Sequence, residues 1–343
     1  MTAPSSISTA PSLTAILERI RVKYALPSIA AVAVRDGVVV GVAAVGERAL
    51  GSGVRVTLDD AYHLGSLSKS FTATVLGKLV ELGKIGWDTT LKEAFPNVQM
   101  RPEFRAVTLE MLLTHRAGFS ANVEDTRIYA GSSDWAVIRQ RYIVAALNTA
   151  PAYLPGQVVA YSNIGYVIAS LMAERVSGMG WQALVRQYVY EPLAMKSCTF
   201  GTAFAPLSNP HPHSWDGVKA VPLPENGNPP ALDGADNVRC SLPDLGSYLA
   251  AHLSGADGIL KATSFKALHR PRANGGQGVY MAFGWLVFSD GQLWHNGSNT
   301  LNYAEMSLYK KHNLAVAVAT NAPIELSKGV QEAMEEIYQA ISK

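Results

Sequence analysis

Gly65-Ser66-Leu67-Ser68-Lys69-Ser70-Phe71 is the stretch on which the reading of this chain turns. The run after it, Phe71 to Leu82, has helical period, so Ser66 and Lys69 stand where a helix begins. A serine hydroxyl is a poor nucleophile until a neighbouring base takes its proton. A lysine three residues on, in the first turn of a helix, shares a face with that serine about one turn away. The helix start adds unpaired N–H groups and a positive end, which favour a serine alkoxide and a neutral lysine alike. The plainer reading is an N-capping serine beside a solvated lysine, since these residue types suit helix starts in any case. Ser-x-x-Lys recurs at Ser307 to Lys310, but within a predicted strand, where an odd separation sends two side chains to opposite faces. Only the first copy is geometrically fit.

Two further elements raise it. Tyr161-Ser162-Asn163 opens a predicted helix after Leu154-Pro155-Gly156 and is the one Tyr-x-Asn in the chain. A tyrosine beside a lysine relays protons, and an asparagine amide orients lysine and substrate. The competing role for this pair is to cap the helix near Ile164. His295-Asn296-Gly297-Ser298 closes a short predicted strand. There, glycine lets backbone approach a bound substrate, and the next N–H can face a developing oxyanion.

Outward from these motifs the chain divides by period. Leu13, Ile16, Leu17 and Ile20 mark a one-sided helix capped by Ser12. Ile29 to Val34 and Val38 to Val45 read as a hairpin around Asp36-Gly37. Phe283 to Phe288, Trp294 to Asn296, Ala304 to Tyr309 and Leu314 to Ala319 read as strands, followed by a helix with Leu326, Val330, Met334, Ile337 and Ile341 on one face. Between the two ends, Thr108 to Arg116, Trp135 to Leu147, Ile164 to Val176, Trp181 to Val189 and Ser241 to Leu253 are helical by period and capping. The expected class is therefore α+β, an antiparallel sheet flanked by helices with a mostly helical second region. The expected division is residues 12–65 with 255–343 against residues 66–254, and the site is expected in the cleft between them. Residues 206–230 hold seven prolines without periodic pattern and read as a lid, a binding loop or a disordered insert, the loop readings implying that it shapes the substrate pocket.

Composition narrows the function class. Of 343 residues, 48% are hydrophobic and 16% charged, with 29 basic against 27 acidic side chains. That balance gives no electrostatic case for nucleic acid, and no apolar run approaches the ~18 residues of a membrane span. Residues 1–10 lack the basic and apolar regions of a signal peptide, so a cytoplasmic enzyme is expected, or a periplasmic or secreted one already trimmed. Cys198 and Cys240 read as two reduced core thiols, although one bridge between them is open. His211-x-His213 invites a metal, but no third ligand is placed by sequence, so no metal or cofactor is expected. His63 reads as packed or hydrogen-bonded. His115 and Arg116 read as structural cations at a helix end.

In order and context the three motifs resemble those of the penicillin-recognising serine hydrolases, and most of all the branch of class C β-lactamases, D-alanyl-D-alanine carboxypeptidases and family VIII esterases. Leu112-Leu113-Thr114-His115-Arg116-Ala117-Gly118, Pro155-Gly156, Glu191-Pro192-Leu193-Ala194-Met195 and Phe283-Gly284-Trp285 match as well, so the resemblance runs from about Leu13 to Asn321. It implies a β-lactamase/transpeptidase-like fold. It implies Ser66 as acylated nucleophile, Lys69 as its proton partner and Tyr161 as proton shuttle. Asn163 would bind substrate or hold Lys69, with the N–H groups of Ser66 and Ser298 as oxyanion hole beside Gly297. His295 would stand at the rim where many relatives carry lysine, meeting a substrate carboxylate or the tyrosine oxygen. Imidazole is mostly neutral at pH 7, so attraction for carboxylates should be weaker or pH-dependent. The implied substrate is a small ester, a D-amino-acid peptide or amide, or a β-lactam. Transfer to another acceptor, a non-catalytic penicillin-binding module, and a metal-dependent hydrolase on His211 and His213 are the competing readings.

Overall fold

The computed structural model describes residues 12–201, 207–224, 228–255 and 258–342. Residues 1–11, 202–206, 225–227 and 256–257 and Lys343 lie outside the described residues, and with them Pro206 and residues 225–227 of the proline-rich segment. The architecture is α+β, as expected. Eight antiparallel strands run in the spatial order Val38–Gly46, Ser28–Arg35, Leu314–Thr320, Tyr303–Tyr309, Leu293–Ser298, Leu286–Phe288, Val279–Met281, Ala273–Gly276. Asp36 and Gly37 both take positive φ, 52° and 75°, the two-residue turn that matches strand twist.

The strand Ser28–Arg35 explains why its sequence shows no polar alternation. Ala30, Val32 and Val34 enter the main core, while Ile29, Ala31 and Ala33 enter a second core. The second core lies against the helices Leu13–Lys23 and Ser327–Ile341. A strand covered on both faces must be apolar at every position.

The helix Ser68–Glu81 lies almost wholly inside the molecule, with Ser68 through Gly77 buried without a break. Its neighbours include Asn163–Ser177, capped by Ser162 and ended at Gly178 with φ +73°. The sheet is fixed to it by Phe283-Gly284-Trp285. Gly284 has φ +76°, its N–H donates to the Tyr166 hydroxyl at 2.8 Å, and a Cβ there would stand 2.6 Å from Ser70 Cα. Trp285 is core, 1% exposed.

Several expectations are corrected. The segment Thr108 to Arg116 is helical only over Leu109–Leu113, because His115 takes φ +57° and turns the chain. The helix at Trp181 gives way after Val185 to wider turns over Arg186–Tyr190. The thiols Cys198 and Cys240 are not free but joined as a disulfide. Thr199 pairs with Arg239 and Phe200 with Val238, so the next opposed pair in that register is Cys198 with Cys240. The proline-rich segment is not structureless, since His213–Trp215 and Ala220–Pro222 form a hairpin around Asp216-Gly217. Its described part hydrogen-bonds to Arg48, Leu50, Ala61, Leu301 and Asn321. The backbone that reaches Lys69 comes just after it, at Ala235.

Candidate active site

Ser66 lies in a helical turn, Gly65–Leu67, that runs into Ser68–Glu81. Gly65 needs its positive φ of 54° to turn the chain there. Ser68 ties the turn in place: its Oγ donates to Gly65 O at 2.7 Å and accepts from the N–H groups of Asn237 and Val238, each at 2.9 Å. The result is a serine 9% exposed at the end of a buried helix, with Lys69 fully buried behind it.

Lys69 Nζ donates to Ser66 Oγ at 2.9 Å, to Asn163 Oδ1 at 2.7 Å and to Ala235 O at 2.9 Å. Three acceptors use all three protons of an ammonium. With the amine neutral, Asn163 and Ala235 offer only acceptors and take its two N–H bonds, which leaves the lone pair facing the Ser66 hydroxyl. Asn163 is aimed in turn: its Nδ2 donates to Asn122 Oδ1 at 2.9 Å, and its backbone N–H donates to Ala121 O at 2.8 Å. Asn122 sits in an irregular loop and no sequence signal pointed to it.

Tyr161 presents its ring to Lys69, with Nζ 4.8 Å from the ring centre, and is 44% exposed. His115 packs on the Tyr161 ring at 4.5 Å between centres, and its Nδ1 accepts from Ser162 N–H at 3.1 Å. Burial first, then the charge of Lys69, holds this imidazole well below its ordinary pKa. His115 is therefore a neutral wall of the site, not a cation serving a helix end.

Gly297 and Ser298 close the other side. A Cβ on Gly297 would stand 2.7 Å from Ser66 N, and one on Gly65 would stand 2.6 Å from Gly297 C. Only two facing glycines let these backbones lie in contact, which brings the N–H groups of Ser66 and Ser298 to neighbouring positions. Ser298 Oγ donates to Asn302 O at 2.8 Å, which holds the bend.

His295 departs from its expected place at an exposed rim. It is 2% exposed, its Nδ1 lies 2.6 Å from Asn296 O, and burial with the Lys69 charge pushes it down to about 3. In the free protein it carries no charge at neutral pH and offers no pH-dependent attraction for a carboxylate. His63 is likewise buried and neutral, pushed down to about 3, its Nδ1 accepting from Gly65 N–H at 3.1 Å. His211 and His213 sit away from these residues with their ring nitrogens committed. Leu207 N–H and Leu50 N–H donate to the two Nε2 atoms, and Leu223 O and Asn321 O face the two Nδ1 atoms. That leaves no free lone pair for a metal.

Comparison with known proteins places this geometry in a setting. The sequence profile described as Beta-lactamase matches residues 13–339. Penicillin-binding protein 4 of Amycolatopsis lactamdurans is 26% identical over 306 residues, 81% of this chain and 76% of its own length. An unguisins hydrolase of Aspergillus campestris is 26% identical over 237 residues, 63% of this chain and 42% of its own length. Among solved structures, the octameric penicillin-binding protein homologue from Pyrococcus abyssi superposes with a TM-score of 0.78 over 96% of this chain and 77% of that one. Its identity is 22%, so that likeness speaks to fold alone. Among the described residues no helix is long and apolar enough to cross a membrane.

Proposed function

Because the chain belongs to the Beta-lactamase family, we propose that it is a serine hydrolase that cleaves a small ester, amide or β-lactam through an acyl-enzyme on Ser66. The single observation that carries this reading is the threefold hydrogen bonding of Lys69 to Ser66, Asn163 and Ala235. A buried amine whose other partners are acceptors has one direction left for its lone pair, and that direction is the Ser66 hydroxyl.

In the first step Ser66 Oγ bonds to the substrate carbonyl carbon while its proton passes to Lys69 Nζ. The carbonyl electron pair moves to oxygen, beside the N–H groups of Ser66 and Ser298. The carbon–leaving-group bond then breaks, and the leaving group takes a proton by way of Tyr161. Water, activated through the same groups, attacks the ester and frees the acid. Neutral His115 and His295 add no second cation beside the ammonium that forms on Lys69 in this step.

The test is intact-protein mass after mixing with p-nitrophenyl butyrate, nitrocefin and a penicillin separately, with product absorbance followed in parallel. A transient adduct on wild type and none on Ser66→Ala is expected. Equal turnover by Ser66→Ala would remove the central claim. A stable adduct without turnover would move the reading to a penicillin-binding module, the activity named for the Amycolatopsis relative.

A further inference from the structure

Gly65 sets no direction of its own. Without a Cβ its backbone turns over a wide range, and the peptide that follows it carries the N–H of Ser66. An oxyanion donor is effective only when it is aimed before charge develops, so Gly65 has to be held from outside. It is held on both sides. Its carbonyl, in the same peptide plane as Ser66 N–H, accepts from Ser68 Oγ at 2.7 Å. Its own N–H, in the plane before, donates to His63 Nδ1 at 3.1 Å. Between the two planes lies the φ of 54°, at which a Cβ would collide with Ser298 N.

Val238 anchors both holds. Its carbonyl accepts from Leu64 N–H at 3.0 Å, its N–H donates to Ser68 Oγ at 2.9 Å, and the neighbouring Arg239 pairs with His63 across the small sheet. His63 is buried, and its ring makes one hydrogen bond among the described residues, the one from Gly65. An Nδ1 that accepts puts the proton of a neutral ring on Nε2, and Nε2 has no partner among those residues. A buried N–H without an acceptor is costly, and a native structure keeps one for a reason. The other tautomer would set Nδ1–H against Gly65 N–H, and the imidazolium would do so beside the charge of Arg239. The ring is therefore no link in a wider polar network; its one polar contact is the nucleophile turn.

We infer that His63 is a positioning residue that aims Ser66 N–H at the developing oxyanion by holding Gly65 N–H behind the nucleophile turn. This rests on the Ser66 hydrolase reading and deepens it. His63 acts through Gly65 and not on the reacting atoms, so it serves the transition state and leaves ground-state binding alone.

The experiment measures kcat and KM for p-nitrophenyl butyrate in wild type, His63→Leu and His63→Asn. Rates are taken per site that a fluorophosphonate labels to completion, counted by intact mass, so that misfolded copies drop out. Asparagine places an amide oxygen where Nδ1 stands, and leucine places a methyl group there. His63→Leu should lower kcat by about 10- to 100-fold, less than the loss of about 10²–10³ for an oxyanion donor removed outright. KM should change by less than about twofold, the mark of an interaction made only in the transition state. His63→Asn should recover most of the loss. No loss in His63→Leu, an equal loss in both variants, or a change confined to KM would overturn the inference.

The hold itself is read apart from turnover by nitrogen NMR of histidine-labelled protein at pH 7, with the His63 ring assigned by its loss in His63→Asn. A proton on Nε2 and none on Nδ1 is expected; a proton on Nδ1 would overturn the inference whatever the kinetics. An Nε2–H ring in a protein whose Ser66 takes no acyl group would sink the hydrolase reading and keep the hold on Gly65. Ser66-dependent turnover with the ring protonated on Nδ1 would do the reverse.

Discussion

Two buried polar networks rest on the one helix Ser68–Glu81, built from nearly the same parts and put to different ends. At its start, Lys69 meets Ser66, Asn163 and Ala235 beside the rings of Tyr161 and His115. Further along, Lys310 Nζ lies 2.6 Å from His269 Nδ1, His269 Nε2 lies 2.9 Å from His252 Nδ1, and His252 Nε2 lies 3.2 Å from Thr74 Oγ1. Thr74 Oγ1 donates to Ser70 O at 2.9 Å, so with Lys310 charged every donor along the chain points the same way. Each network contains a lysine, histidine rings nearby and a hydroxyl. In the second, every heteroatom named is spent on its neighbour, and Thr74 is 1% exposed at the closed end. In the first, the serine that bears the hydroxyl is 9% exposed. Chemistry-bearing residue types thus mark a polar core as readily as a reactive centre; the difference is an atom left open to a substrate.

That contrast is breakable. Lys69→Met should lower kcat by about 10²–10⁴, the usual worth of a positioned acid–base group. Lys310→Met, the same change on the second network, should leave turnover close to wild type. Comparable losses from the two, measured by steady-state kinetics, would erase the distinction. Gly297→Ala should cost about 10² in kcat by driving backbone away from Ser66 N and spoiling one oxyanion donor. A variant of normal activity would show that the contact there is slack.

Asn122→Ala should cost about fivefold in kcat, the scale of one net hydrogen bond, because Asn163 loses the partner that aims its amide at Lys69. As a positioning effect it should be restored in part by Asn122→Ser, which keeps an acceptor. An equal loss in both variants would point to loop disruption instead.

His252→Leu should affect turnover least and stability most, by about 1–3 kcal/mol from the partners stranded in the second network. Its pH dependence has a definite sign. Burial holds His252 down to about 3 in the folded protein. The unfolded chain binds that proton near pH ~6.5. The neutral ring's contribution is therefore present above about pH 6.5 and lost as pH falls toward 3. His252→Leu should flatten the acid side of the stability curve by about 1.4 kcal/mol per pH unit within that window. Urea unfolding of both proteins at pH 7 and pH 5 measures it, and equal slopes would show that His252 takes up its proton in the folded state.

The same contrast explains what was legible beforehand. The hairpin around Asp36-Gly37, the terminal strands and the long helices were readable because period and turn chemistry are local. The proximity of Ser66 and Lys69 was readable because three residues on a helix fix it. His115 was misread because its role depends on a left-handed backbone and on Ser162, 47 residues away. His295 was placed at a rim because alternation in a strand gives a face but not what covers it. Asn122 lies in irregular chain, where nothing periodic locates a side chain. Gly284 stood in a motif without a role until the close approach of Ser70 supplied one.

The disulfide carries one more consequence. Cys198 and Cys240 are 42 positions apart in sequence, and the bond joins them at the small sheet that also holds Tyr62–His63. The proline-rich segment and Ala235 fall inside the covalent ring so formed, whereas Ser66, Lys69, Asn163 and Gly297 fall outside it. The ring is in effect an exchangeable cassette with pinned ends. Because loop closure grows only slowly more costly with length, the proline-rich part of its interior is free to vary in length, while the stretch Ala235 to Val238, whose backbone holds Lys69 and Ser68, has to keep its path.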